Sequence, residues 1–200
     1  AAQSNENVKV EDGKIERISV TASKRKTYLM ETPGAITAIS QDQLTRGGIK
    51  ELRELTTSIP NTQFVVSGTD SGIQASIRGV RSGNNTEIGD PAVGVHIDGI
   101  YSPRPQGALA LLYDVSQVEV LRGPQGTLFG RNTPAGVVKF DSVKPSKTQE
   151  GYASISAGTY GSLNLEGAFN LPLGGDWSAR VSLLNQRRDD WVKNTYAAGP

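Results

Sequence analysis

Residues 118–132 read VEVLRGPQGTLFGRN, a short apolar alternation followed by closely spaced glycines. Val118 and Val120 lie two residues apart, as on one face of a strand, and Gly123 marks the point where that strand ends. The glycines suggest a phosphate-binding loop, but no Lys-Ser or Lys-Thr follows the last one and the spacing is not G-x-G-x-x-G. A nucleotide site is therefore not predicted here.

These glycines are better explained by backbone geometry. Gly123 and Gly126 are expected to make tight turns with positive φ, and Gly130 and Gly136 are expected to let backbones pack closely together. The stretch is therefore interpreted as a strand that leads into a tightly folded turn.

Composition indicates a β-rich chain with many turns. Of 200 residues, 36% are hydrophobic, 23 are glycine, 10 are proline and one is methionine. Lys and Arg total 21 against 20 Asp and Glu, so no net field favours nucleic acid as a partner. The chain has no cysteine, which excludes disulfides and thiolate metal sites. No apolar run approaches the roughly 18 residues that a spanning helix needs, so a bilayer could be crossed only by strands.

Two short helices are predicted near the start of a globular region. A strand over 35–39 ends at Ser40, which is a good N-cap for a helical turn over 41–46. A second helix is predicted from Ile49 to about Ser58, because Leu52 and Leu55 continue one apolar face. Further strands are predicted around residues 64–66, 73–77, 93–97, 118–120 and 137–138.

Longer strands follow Pro145. Residues 151–158, 163–171 and 177–189 alternate apolar and polar side chains and are joined by Gly-containing turns. Strands of about 9 to 11 residues with one apolar face are typical of transmembrane barrels. Three strands cannot close a barrel, so we expect the barrel to continue beyond residue 200.

Three segments together resemble the TonB-dependent outer-membrane transporter family. Residues 15–22 (IERISVTA) are similar to its TonB box, residues 118–132 to its plug signature, and residues 135–138 to the small-residue strand before the barrel. The resemblance implies an α+β plug domain, a mixed β-sheet with short helices, followed by the first antiparallel strands of a transmembrane β-barrel. It divides the chain into a flexible segment over 1–30, a plug over 31–145 and barrel strands over 146–200.

The resemblance implies a partner, TonB of the inner-membrane energy-coupling complex. TonB would pair its sheet edge with residues 15–22, the coupling segment, which is extended and whose backbone is expected to be open. Ala at Ser19 should then be tolerated, whereas Pro at Ser19 or Val20 would remove a main-chain donor. The TonB-binding residues are expected to be Glu16, Arg17, Ile18, Ser19, Val20, Thr21 and Ala22.

The family also implies contacts to cargo and to the barrel wall. Arg122, and less directly Arg131, are expected to pair with barrel carboxylates, and Gly130 and Gly136 to pack against the wall. Lys139 stands where relatives usually carry Asn, which should alter local packing more than function. The cargo-binding residues are expected in two polar loops: Arg81, Asn84, Asn85 and Thr86 in the first, and Tyr101, Arg104 and Gln106 in the second.

No metal site, cofactor or enzymatic activity is predicted. His96 and Asp98 alone make a poor ligand set, and no acid-base pair or nucleophile triad is apparent. The expected function is TonB-dependent import of a ferric siderophore or similar chelate across the outer membrane of a Gram-negative bacterium, with the plug and N-terminus facing the periplasm and the barrel in contact with lipid. The small residues Ala1-Ala2-Gln3-Ser4 are consistent with export. Alternatives are import of an oligosaccharide or cobalamin, a passive receptor for phage or toxin, a soluble carbohydrate-binding β-protein, and a β-rich hydrolase.

Overall fold

The computed structural model describes residues 18–21, 27–32, 34–66, 73–82, 90–103 and 112–189. Its strands are β1 Ser19–Val20, β2 Thr27–Tyr28, β3 Ala35–Ser40, β4 Thr62–Val66, β5 Ile73–Ile77, β6 Val93–Ile97, β7 Ile100–Ser102, β8 Val115–Arg122, β9 Gly136–Ser142, β10 Gly151–Gly158, β11 Ser162–Gly174 and β12 Trp177–Arg187. The helices are α1 Gln41–Arg46 and α2 Gly126–Phe129, with 3-10 segments at Leu29–Glu31 and Leu52–Thr57.

A five-stranded mixed sheet in the order β3-β8-β9-β6-β7 forms the centre of the N-terminal region. Strands β6 and β9 run parallel, while the other neighbouring pairs are antiparallel. One face packs Val118, Val120, Val138 and Phe140 against residues from α1, the second 3-10 segment and β4. The predicted α+β plug, a mixed sheet with short helices, is confirmed.

The first helix begins where the sequence predicts it. The Ser40 side chain accepts a hydrogen bond from Gln43 N, and the Gln43 side chain accepts one from Ser40 N, which is a capping box. The second prediction was wrong in type and length, because Leu52–Thr57 is a 3-10 helix. Leu52 and Leu55 are both buried, and their three-residue spacing matches the repeat of a 3-10 helix.

Some of the predictions for the glycines are confirmed and others are wrong. Gly123 has the expected positive φ of 103°, but Gly126 begins α2 and has no positive φ. Gly130 has a φ of 80° and open space around its missing side chain, so conformation, and not close packing, explains it. Gly136 does allow a close approach, but to Leu121 and Ile77 of the same domain.

The three longest strands form a separate antiparallel meander in the order β10-β11-β12. Along the first part of β11, Leu163, Leu165 and Phe169 are exposed, whereas Ala168 and Asn170 on the other face are buried. The turns predicted at 159–161 and 174–176 are present, with positive φ at Tyr160, Gly161, Gly174 and Gly175. Among the described helices, none is long and apolar enough to span a membrane.

Candidate functional site

The coupling segment is docked on the central sheet over the part that the structure describes. Strand β1 pairs with β2 through Ser19–Tyr28 and Val20–Thr27, and Leu29 N donates to Ile18 O over 3.0 Å. The Val20 side chain is fully buried in a cluster with Ala38, Leu121 and Val137. On the edge that faces β2, the expectation of an open backbone is therefore wrong, because this edge is paired and the burial of Val20 holds the segment in place.

A buried polar cluster lies at the end of this segment. Glu119 Oε1 accepts hydrogen bonds from Thr21 N at 2.8 Å, Thr21 Oγ1 at 3.3 Å and Gln117 Nε2 at 2.6 Å. Lys139 Nζ lies 3.0 Å from Glu119 Oε2, donates to Thr21 Oγ1, and is 3.7 Å from Asp141 Oδ2. The exposed fractions of the Lys139 and Glu119 side chains are 5% and 0%. Sequence reasoning missed this cluster, although Lys139 stood out as unusual for its position.

The structure describes only some of the expected TonB-binding residues. Residues 18–21 occupy the docked segment, whereas Glu16, Arg17 and Ala22 lie outside the described residues. Binding of TonB by these residues stays a prediction.

The structure describes two of the seven expected cargo-binding residues. Arg81 is exposed, and beside it Ser82 Oγ donates to Asp90 O over 3.0 Å, which closes the base of the first loop. Tyr101 is half-buried and accepts a hydrogen bond from Asn132 Nδ2 at 3.0 Å. Asn84, Asn85, Thr86, Arg104 and Gln106 lie outside the described residues. The cargo role of both loops stays a prediction.

His96 and Asp98 have separate surroundings. The His96 ring is buried, 5.1 Å from the Phe129 ring and 5.5 Å from the Tyr101 ring, measured between centroids. Asp98 lies after the end of β6 with a φ of 48°, and its carboxylate accepts from Ser142 N and Ser142 Oγ at 2.8 and 2.7 Å. In the described residues, no three His, Cys, Asp or Glu side chains gather where they could hold a metal ion.

The arginines that were expected to reach the barrel differ in their surroundings. Arg122 donates to Pro60 O at 3.1 Å, Thr37 Oγ1 at 3.0 Å and Ala35 O at 3.4 Å, all within the plug. These contacts fasten β8 to β3 and to the loop before β4. Arg131 is exposed. Pairing of either residue with a barrel carboxylate stays a prediction.

A different pair joins the plug to the meander. Arg180 on β12 contacts Asp114 through two hydrogen bonds, Nε to Oδ2 at 2.7 Å and Nη2 to Oδ1 at 2.5 Å. Tyr113 Oη also donates to Gly167 O on β11 over 2.5 Å. In this contact the plug supplies the carboxylate and the meander supplies the arginine, and it is separate from the pairing expected of Arg122 and Arg131. The available signal was an arginine on the inward-facing side of β12, between Ala179 and Val181.

A gap of about 810 Å³ separates the plug from the meander beside this pair. The plug side is formed by α1, residues 48–53 and residues 112–115. The meander side carries both polar and apolar side chains: Tyr152, Ser154, Ser156, Asn164, Glu166, Leu184 and Gln186. The inward face of β10–β12 is therefore more polar than the outward face, which is suited to an apolar environment.

The described chain has two parts: a mixed-sheet domain with a docked N-terminal strand, and an antiparallel meander tied to it by an ion pair. This arrangement is typical of a receptor plug followed by barrel strands. The family model described as TonB-dependent Receptor Plug Domain matches residues 28–137. The chain belongs to this family.

Named relatives are receptors for pesticin and for siderophores. The pesticin receptor of Yersinia pestis is 31% identical over 156 residues, covering 76% of this chain and 22% of the relative. The catecholate siderophore receptor Fiu of Escherichia coli K12 is 25% identical over 169 residues, 80% of this chain and 20% of the relative. The chain thus spans about a fifth of the length of these relatives.

Solved structures agree with the fold. The ferric yersiniabactin uptake receptor from Yersinia pestis superposes with a TM-score of 0.70 at 28% identity, over 76% of this chain and 24% of that one. The pyoverdine receptor of Pseudomonas aeruginosa PAO1 superposes with a TM-score of 0.72 at 20% identity, over 86% of this chain and 25% of that one. The second comparison supports the fold alone.

Proposed function

We propose that this chain supplies the coupling segment, plug and first barrel strands of an outer-membrane receptor of a Gram-negative bacterium. The receptor imports a ferric siderophore or a similar iron chelate, and TonB supplies the energy. The plug and coupling segment face the periplasm. No catalytic step is part of the proposal, and the iron belongs to the cargo.

The observation that carries the proposal is the placement of residues 18–21. An extended segment lies on the central sheet and contacts β8 and β9, so a pull on it acts directly on the plug core. Strand β8 starts directly after Asp114, and Arg180 of the meander pairs with the Asp114 carboxylate. Force on the segment is therefore resisted at the barrel side, and the strain falls on the plug between these two points.

The class of cargo rests on the relatives. Named relatives include receptors for ferrioxamine B and for catecholate siderophores, and a solved relative takes up ferric yersiniabactin. An exposed Arg81 at the base of the first loop suits an anionic chelate, because guanidinium groups pair well with carboxylate and phenolate oxygens. A vitamin or an oligosaccharide is the alternative cargo.

The test is uptake by cells that express the full-length receptor as their sole route for the cargo. Radiolabelled ferric siderophores, cobalamin and oligosaccharides are offered to wild type, Ser19→Pro and Ser19→Ala. Ser19 suits this test better than Val20, since its side chain is only half-buried and Pro there removes one main-chain donor. Binding at 0 °C is measured in parallel.

We expect Ser19→Pro to abolish uptake of an iron chelate while binding stays unchanged, and Ser19→Ala to behave as wild type. Strand addition depends on the backbone, so only the proline should interfere. Equal uptake by all three proteins would rule out energised transport, and uptake of cobalamin or a sugar instead of a chelate would reassign the cargo.

A second candidate function is a receptor for pesticin or a similar ligand, which the name of the pesticin receptors favours. The same outer surface could serve both purposes. Binding of purified pesticin to expressing cells, with no chelate uptake, would favour this role.

A further inference from the structure

We propose that the buried ion pair of Glu119 and Lys139 is a latch that holds the coupling segment on the plug, and that it must open before a partner strand can pair with that segment. The two residues are positioning residues for energy coupling. The inference rests on the proposed function for its purpose, but the latch itself can be measured without cargo or partner.

The first support is the way in which Thr21 completes the pair. Its N–H and its hydroxyl both donate to Glu119 Oε1, and its hydroxyl oxygen accepts from Lys139 Nζ. Gln117 Nε2 occupies the same carboxylate oxygen and bridges it to Asp141 Oδ2 at 3.2 Å. Thr21 is thus joined to both charged groups, and lifting it away would take two donors from Glu119 and one acceptor from Lys139.

The second support is that Glu119 binds the edge of the coupling segment that does not pair with β2. Ile18 O bonds to Leu29 N on the β2 side. Main-chain groups two residues apart point to the same side of a strand, so those of Val20 also face β2, while those of Ser19 and Thr21 face the opposite edge. Thr21 N donates to Glu119 at that opposite edge. A strand added there would compete with Glu119 for the Thr21 N–H.

The third support is burial. A buried ion pair loses its stability when one partner is removed, because the remaining charge stays desolvated without compensation. With exposed fractions of 5% and 0%, Lys139 and Glu119 are such a pair, and Val20 closes the adjacent apolar cluster. Opening of the segment exposes both charges to water, so loss of either charge should shift the equilibrium toward the open form. Lys139 therefore affects the docking of the coupling segment, and not only the local packing that the sequence suggested.

The experiment uses full-length receptor in outer-membrane vesicles, with any other cysteines replaced and Val20→Cys as a reporter. Val20 is fully buried when docked, so a maleimide reagent can reach a thiol at this position only after the segment opens. The test variant is Lys139→Met. The matched control is Lys147→Met, since Lys147 forms an ion pair with Asp176 whose side chains are 67% and 97% exposed. A second reporter, Val118→Cys, lies on the other face of β8 and detects general loosening of the sheet.

We expect Lys139→Met to raise the labelling rate of the Val20→Cys reporter by about tenfold or more, with the Val118→Cys reporter still protected and Lys147→Met within about twofold of the parent. The purified periplasmic domain of TonB should also bind the Lys139→Met receptor about tenfold more tightly, because the segment is already released.

Three results would count against the proposal. Unchanged labelling at position 20 would overturn the latch. Equal rises in labelling at positions 20 and 118 would also overturn it, because the pair would then support the whole sheet. Faster labelling at position 20 without tighter binding of TonB would overturn the competition at Thr21.

These outcomes are separate from those of the uptake experiment. Failure of uptake in wild type with a working latch would contradict the proposed cargo or transport, whereas normal uptake with unchanged labelling at position 20 would contradict the latch.

Discussion

Gly136 lies at the first position of β9, where neighbouring atoms leave no room for a side chain. A Cβ atom there would be in hard contact with the carbonyl oxygen of Leu121 and 2.8 Å from Ile77 Cδ1. Its φ of 151° also disfavours any residue with a side chain. The crowding atoms belong to β8 and β5, so the close approach arises inside the plug.

Gly136→Ala should therefore destabilise the plug by more than about 2 kcal/mol, the sum of overpacking and backbone strain. The matched control is Gly99→Ala, where φ is 82° but nothing lies near the new methyl group, so only about 1 kcal/mol of strain is expected. Hydrogen exchange of the β8 and β9 amides in the full-length receptor measures the difference. Equal effects of the two variants would show that crowding at Gly136 is relieved by small movements.

At the scale of elements, the junction between β8 and β12 is a charged contact that is largely shielded from water. The exposed fractions of the Arg180 and Asp114 side chains are 8% and 10%, and Arg180 Nη1 also donates to Asn170 Oδ1 at 3.1 Å. The bidentate geometry fixes the start of β8 relative to the meander. The junction therefore anchors the start of β8 to the meander, whereas Thr21 is held farther along the same strand, at Glu119.

Arg180→Met should loosen this junction, because it leaves the Asp114 carboxylate buried without a counter-charge at a cost of about 3 kcal/mol. Arg46→Met is the matched control, since Arg46 pairs with Asp42 at 77% and 67% exposure and should change stability by less than about 0.5 kcal/mol. Protease sensitivity of the plug across a urea series in the full-length receptor is the measurement. Coincident curves for both variants would show that the pair does not fasten the plug.

Elements with a strong local signal could be predicted, and contacts between distant residues could not. The Ser40 cap and the alternation in β11 each depend on residues that are close in sequence, so α1 and the meander strands could be predicted. The type of the 52–57 helix did not, because a spacing of three fits both helix types. Thr21 and Glu119 lie 98 residues apart, and Asp114 and Arg180 lie 66 apart. No periodicity links such pairs, so only the folded sheet brings them together.

At the scale of the whole molecule, the chain has two environments on either side of the β10–β12 meander. The inward face meets the plug and a gap lined by both polar and apolar side chains, while the outward face exposes Ile155, Leu165, Phe169, Val181 and Leu183. Such an apolar surface would be a liability in water, and it is expected on strands that contact lipid. The same substitution, to Arg, should therefore have different effects on the two faces of one strand.

Leu165→Arg and Asn164→Arg test this asymmetry, since the two positions are adjacent on β11 and face opposite sides. Arg at the outward position should cost about 2–4 kcal/mol in the bilayer and lower the yield of folded, membrane-inserted receptor. Arg at position 164 enters the gap between meander and plug, where Glu166 can pair with it, and should leave insertion within about twofold of wild type. Heat-modifiable migration and protease resistance of full-length receptor in isolated outer membranes report insertion. If both variants insert equally well, the outward face does not contact lipid, and the soluble carbohydrate-binding alternative becomes the better explanation of the meander.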